Sequence, residues 1–187
     1  MISPCIFIDI DSNKSLVCTK PVPGQFEPKR AAENISLLHA HAMKKNINVI
    51  SLVETKLLAK PNYDKLDATL EKKHLLVKPG EKKDKVKELL LQNKQIVLGK
   101  DNFDIFSNTL LLDLLKEAKV QNLVVYGYGI DYGIEHAGVK LREEGFNIYI
   151  PVDAVTAINE VNREPAVKEL HNVGVQIWNS EFLMQNT

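Results

Sequence analysis

The residues able to do chemistry in this sequence gather where its apolar runs stop. Asp9 and Asp11 close the first run, Cys5-Ile6-Phe7-Ile8-Asp9-Ile10, and Glu54 closes the second, Ile47 to Val53. Gly99-Lys100-Asp101 ends the run that starts at Gln95. Gly127-Tyr128-Gly129-Ile130-Asp131-Tyr132-Gly133 follows Asn122 to Tyr126, and Asp153 follows Phe146 to Ile150. A carboxylate and an ammonium brought to one edge of a sheet can share and pass a proton, and burial tunes when each does so. Asp9 with Lys100 is therefore the candidate acid–base pair. The competing assignment for the same two residues is a buried structural ion pair.

The glycine-rich turn invites a dinucleotide reading, but its spacing is Gly127-x-Gly129-x-x-x-Gly133, one residue longer than the G-x-G-x-x-G fingerprint. Its plainer role is a tight strand-to-helix turn in which small residues let the backbone approach its neighbours. The histidines do not assemble a metal site either. Ser51 to Lys56 holds none, His74 is single, and His39 and His41 stand two apart on a helical stretch, which turns their rings away from each other. His136, one turn beyond Gly133, is the remaining candidate for a ligand contact. Lys82, Lys83, Lys85 and Lys87 read as a solvated face. No metal and no cofactor are expected.

The elements that must position these residues follow from periodicity. Pro28 to Asn46 is helical, with Ala31, Ile35, Leu38 and Ala42 on one face. Further helices are predicted over Lys85 to Asn93, Asn108 to Ala118, about Tyr132 to Glu144, and Glu164 to Asn172. Strands are predicted at Cys5 to Ile10, Ile47 to Val53, Gln95 to Leu98, Asn122 to Tyr126, Phe146 to Ile150 and Val175 to Trp178. Glu54 to Lys85 is a long irregular excursion. Strands that are apolar on both faces and alternate with helices predict a three-layer α/β/α domain around a mostly parallel, Rossmann-like sheet. Ligands in such folds bind outside the carboxyl ends of the strands, where the residues above lie.

Composition narrows the classes. The chain has 187 residues, 44% of them hydrophobic, which suits a single domain spanning 1–187. Its 24 Lys+Arg balance 24 Asp+Glu, so neither nucleic acid nor an anionic membrane is an expected partner. Two cysteines, Cys5 and Cys18, cannot form a disulfide framework and fit a reducing compartment. Met1-Ile2-Ser3-Pro4 lacks the regions of a signal peptide, and a cytoplasmic location is expected.

Three segments together resemble the isochorismatase-like superfamily, which includes nicotinamidases and other cysteine hydrolases. Phe7-Ile8-Asp9-Ile10-Asp11 is similar to its first strand, with Asp9 in the aspartate position. Lys100-Asp101-Asn102-Phe103-Asp104-Ile105-Phe106-Ser107-Asn108-Thr109 is similar to its lysine motif, K-x-x-x-S-A-F-x-x-T. Val124-Val125-Tyr126-Gly127-Tyr128-Gly129-Ile130-Asp131-Tyr132-Gly133 is similar to its nucleophile segment, V-V-x-G-V-A-T-D-x-C. The resemblance implies a triad of aspartate base, assisting lysine and attacking cysteine. It also implies backbone donors for an oxyanion, with a cis peptide near Tyr128-Gly129, and a homo-oligomer, dimer or tetramer. Asp11, Phe106, Tyr128, Gly129, Tyr132 and His136 are the expected contacts of a small-molecule substrate.

The sequence departs from that pattern at the nucleophile, where Gly133 stands in the cysteine position. Loss of the nucleophile costs about a millionfold in a serine hydrolase, so the thioester route to amide hydrolysis is closed. Two readings follow. True isochorismatases resemble this sequence in having glycine there, and in them the aspartate protonates a vinyl ether; Asp9 would then be a general acid. Against this, Asp11 replaces a frequent glutamine and adds an acid that disfavours an anionic substrate. The alternative is a family member that has lost catalysis and binds a small molecule or a protein.

Overall fold

A computed structural model describes residues 2–12, 28–54, 75–77 and 95–187. Its strands are β1 (Cys5–Ile10), β2 (Asn48–Glu54), β3 (Leu75–Val77), β4 (Gln95–Lys100), β5 (Asn122–Tyr128), β6 (Asn147–Pro151), β7 (Val155–Thr156) and β8 (Gln176–Trp178). The helices are α1 (Pro28–Lys45), α2 (Leu110–Glu117), α3 (Glu135–Glu143), α4 (Arg163–Asn172) and α5 (Ser180–Asn186). The strands pair in the order β3-β4-β2-β1-β5-β6-β8, with β7 on β5, and every pair is parallel. The α/β architecture with a parallel sheet is thus the one the sequence predicts.

The sheet is sealed because its strands carry apolar residues on both sides. All six residues of β1 are buried, and Ile8, Ile10, Leu52, Leu98 and Val125 are inaccessible to solvent. Strand alternation sends Asp9 and Ile10 to opposite faces. Asp9 meets His39 of α1, whereas Ile10 lies beside Gly133, ahead of α3. Helix α1 packs on β2, β5 and β7 through a stripe that includes Ala31, Ile35, Leu38 and Ala42. After β1 the chain builds outward through β2, and after β4 it crosses back to β5 on the other side of β1. The junction of β1 and β5 is therefore the topological switch point, where a parallel α/β sheet opens a ligand crevice.

Several elements differ from the sequence expectation. The excursion after Glu54 contains β3, a three-residue strand at the sheet edge. The stretch expected to start a helix at Tyr132 is a π-helical turn, Ile130–Ile134, which hands over to α3. Helix α5 was not predicted; Asn179 caps it by accepting the Phe182 N–H. The expected helix over 85–93, Cys18, His74 and the lysines at 82–87 lie outside the described residues.

Gly127 must be glycine. Its φ is +125°, and a Cβ there would run into the carbonyl of Ile10 on the neighbouring strand. Removing that side chain lets β1 and β5 close together just below the switch point.

Candidate active site

Asp11 follows the last residue of β1 and keeps one more ladder bond, its N–H donating to Leu52 O at 2.9 Å. Its φ is +49°, an uncommon value outside glycine that aspartate tolerates better than most residues. Regular alternation would send Asp9 and Asp11 to the same face. The left-handed backbone turns Asp11 away from that face and toward Lys100, whose Nζ lies 2.7 Å from Asp11 Oδ2. Asp11 Oδ1 accepts the Glu54 N–H at 3.1 Å, and Lys100 Nζ also donates to Asn102 O at 3.0 Å. Both side chains are buried, Lys100 completely. The pair therefore has fixed geometry, with both carboxylate oxygens engaged.

Above this pair opens a cleft of about 260 Å³. Asp11, Tyr128, Gly129, Tyr132 and Gly133, all among the candidate residues, line it together with Glu54, Asp101, Asn102, Phe103 and Ile158. Phe103 and Tyr132 stack with ring centroids 4.4 Å apart at its mouth, and both are partly exposed. The sequence reading missed Phe103 as a lining residue, although it lies inside the lysine motif. It also missed Ile158, for which no pattern in the sequence gives a signal. A second hollow, about 380 Å³ and lined by Leu115, Lys116 and Phe146 among others, sits at the amino ends of β5 and β6, the wrong end of the sheet for this chemistry.

The π-helical turn shapes one wall. Gly129 opens it with φ +82°, donates its N–H to Thr156 O at 2.9 Å, and accepts the Ile134 N–H at 3.0 Å. Asp131 reaches out of the turn to accept the N–H groups of Ile158 and Asn159 at 2.7 and 2.9 Å, which ties the 158–159 loop to the same wall. Gly133 needs no glycine: a Cβ there would meet only Phe103 O at 3.8 Å and Ile10 Cγ2 at 3.9 Å, ordinary contacts. The Tyr128-Gly129 peptide, expected as cis, is trans, and among the described residues only Ser3-Pro4 is cis. The positive φ of Gly129 makes the turn instead.

Three expected site residues lie elsewhere. Asp9 does not pair with Lys100, because strand alternation points it under α1. There its Oδ2 accepts from Ser12 Oγ at 2.8 Å and Ser51 Oγ at 3.2 Å, with His39 Nε2 at 3.5 Å. Its other oxygen, Oδ1, has no hydrogen-bond partner, and neither has the buried hydroxyl of Tyr126, its neighbour in register on β5. Burial, and then the charge of Asp9, push the Tyr126 phenol well above its ordinary pKa. Phe106 sits in the Ile105–Ser107 turn and packs against the hydrophobic core, outside the cleft lining. His136 approaches Asp104 Oδ1 at 3.4 Å and sets its ring edge-on to Phe103 at 5.2 Å, so it backs the lining without joining it.

Asp153 is a staple: it accepts both the N–H and the hydroxyl of Ser180, at 2.7 and 2.8 Å, and fixes the start of α5. His41 turns away from His39 to Thr187 Oγ1 at 2.9 Å. Among the described residues no three of His, Cys, Asp and Glu gather as a metal site requires, and no helix is long and apolar enough to cross a membrane.

Residues 5–181 match the family model described as the isochorismatase domain. Solved structures with the same fold include the MAR1 ribonuclease from Caenorhabditis elegans, with TM-score 0.67 and 18% identity, covering 98% of this chain and 80% of that one. The YcaC protein from Escherichia coli, described as an octameric hydrolase of unknown specificity, matches with TM-score 0.69 and 16% identity over 96% of this chain and 77% of its own. A nicotinamidase from Staphylococcus aureus matches with TM-score 0.68 and 15% identity over 94% and 97%. Comparison with curated protein sequences finds no match.

Proposed function

The chain belongs to the isochorismatase family, and from that premise we propose that it is a hydrolase acting on a small molecule by acid–base chemistry at Asp11, with no covalent nucleophile. The observation that carries this reading is the 2.7 Å contact between Lys100, fully buried, and Asp11, which lines the same cleft as Gly133. Asp11 takes the role expected of Asp9, because it is the aspartate that meets the lysine. Lys100 orients the carboxylate, and the π-helical turn closes the other wall. In vinyl-ether hydrolysis the carboxyl group protonates the vinyl carbon and water captures the resulting oxocarbenium. The proton that water loses returns to the carboxylate, and the hemiketal so formed collapses, its C–O bond to the alcohol breaking to leave a ketone and the free alcohol. A missing side chain at Gly133 leaves the floor of the cleft to the ligand.

The absence of a side-chain nucleophile at Gly133 equally favours a second reading, a binding protein that holds a small molecule or a protein partner without turning it over. Incubation with isochorismate, with nicotinamide in parallel and RNA as a control for the ribonuclease-like fold, separates the two. Turnover of isochorismate that is lost in Asp11→Asn supports acid–base hydrolysis. No turnover of any of the three, with saturable binding of a small molecule, supports the second. A cytoplasmic location and a homo-oligomer, dimer or tetramer, complete the proposal; sedimentation tests the oligomer.

A further inference from the structure

We infer that Asp9 is a positioning residue that holds Asp11 turned into the cleft. This rests on the reading of Asp11 as the reacting carboxylate. Asp11 reaches Lys100 only because its backbone is left-handed, a conformation that disfavours a residue with a side chain and that its surroundings must maintain. The following residue supplies that constraint. Ser12 Oγ donates to Asp9 Oδ2 at 2.8 Å, so the chain is tied back across the three residues that contain the turn.

Asp9 is itself immobilised. It is 5% exposed, Ser51 Oγ of β2 donates to the same oxygen at 3.2 Å, and His39 of α1 stands 3.5 Å away. The β2 side of the anchor continues to the cleft, since the Leu52 carbonyl and the Glu54 N–H of the same strand hold the backbone and the carboxylate of Asp11. Asp9 thus fixes the turn from one face of the sheet, and Asp11 projects from it on the other. What this job requires of residue 9 is an acceptor at the position of Oδ2. A transferable proton and a negative charge are not needed, which is what distinguishes a positioning role from a reacting one.

The test compares Asp9→Asn with Asp9→Ala. Asparagine keeps an acceptor for Ser12 and Ser51; alanine keeps none. Crystal structures are expected to retain the Asp11–Lys100 contact in Asp9→Asn and to lose it in Asp9→Ala. On any substrate that the wild-type protein turns over, Asp9→Asn is expected to keep kcat within a few-fold. Asp9→Ala is expected to lose about a hundredfold in kcat with KM little changed, the scale of a misplacement of about 1 Å. Should Asp9→Ala fail to fold, Ser12→Ala cuts the tie and leaves the carboxylate in place. An intact Asp11–Lys100 contact in both Asp9→Ala and Ser12→Ala would overturn the inference, as would an Asp9→Asn variant as inactive as Asp9→Ala. The crystallographic arm decides even if no substrate is found, so failure of the hydrolase reading is distinguishable from failure of this one.

Discussion

Gly133 faces the carbonyl of Phe103 across the cleft floor with room for one carbon atom: a Cβ on Gly133 would stop 3.8 Å from that oxygen. Glycine is therefore not imposed at this position by backbone or packing, in contrast to Gly127 on the strand leading into the same turn. Gly133→Ala is expected to fold and to gain about 0.5–1 kcal/mol by restricting the unfolded chain. Gly127→Ala, forced against the Ile10 carbonyl at positive φ, is expected to lose more than about 3 kcal/mol. Urea unfolding of the two variants measures both. A Gly133→Ala protein as unstable as Gly127→Ala would show that the floor is tighter than this geometry allows. Gly133→Cys would place a thiol at this end of the cleft, and on the proposed reading amidase activity toward nicotinamide is its readout.

Asp131 connects two parts of the cleft by accepting the Ile158 and Asn159 N–H groups. Two hydrogen bonds to one partly exposed carboxylate imply a cost of about 1–3 kcal/mol when Asp131→Ala removes them. The local consequence is more specific than the global one. Hydrogen exchange at Ile158 and Asn159 is expected to speed up by at least as much as at any other described amide, while protection in β1 and β5 stays near that of the parent. Uniform loss of protection across the sheet would mean that Asp131 supports the fold as a whole.

The strands, and the sheet edge on which the candidate cleft opens, were legible in the sequence because a two-sided parallel sheet writes itself as continuous apolar runs. The residues that end those runs gather at the ligand edge. The assignment of Asp9 over Asp11 was not. Alternation places both on one face, and only the positive φ at Asp11 separates them, a local backbone state that no periodicity encodes. Phe106 looked like a ligand contact from its motif but is claimed by the core beside Ile105. The π-helical turn could not be told from the first turn of α3, since both bury Ile130 and Ile134. Helix α5 is short, and its one clear signal is Asn179, three residues before Phe182, just past the predicted last strand.

Burial pushes the Cys5 thiol from 9.0 up to about 11. A folded-state value above the unfolded one means that folding retains a proton which the unfolded chain gives up. The associated stability is complete below pH 9, declines as the pH rises, and is gone above about pH 11. A shift of this size corresponds to about 2–3 kcal/mol. Tyr126, also shifted upward, contributes from about pH 10 onward, so the comparison must be differential. Cys5→Ala is expected to cost stability at pH 7 through the lost packing but to lose less of what remains between pH 9 and 11. Parallel slopes for the two proteins in urea titrations across that window would sink the prediction.

The buried atoms around Asp9 make a prediction about stability that is separate from activity. Asp9 Oδ1, Tyr126 Oη and His39 Nε2 all lack a hydrogen-bond partner. The phenol O–H and an imidazole N–H are donors that a carboxylate could accept, so it is their placement, and not a missing donor, that leaves these atoms unpartnered. In Asp9→Asn the amide carbonyl takes over the two serine hydroxyls, and the amide NH₂ stands where the unpartnered oxygen was. Leaving a buried polar group unsatisfied costs about 1–3 kcal/mol, so Asp9→Asn, which keeps the acceptor for both serines, is expected to stay within about 1 kcal/mol of the parent. Asp9→Ala removes the acceptor that both serine hydroxyls use and is expected to lose about 2 kcal/mol or more. A urea midpoint near the parent's for asparagine, with a fall for alanine, would show that residue 9 is held for its acceptor. Equal losses in the two variants would show that the charge itself is required there, with His39, 3.5 Å away, as its counterion.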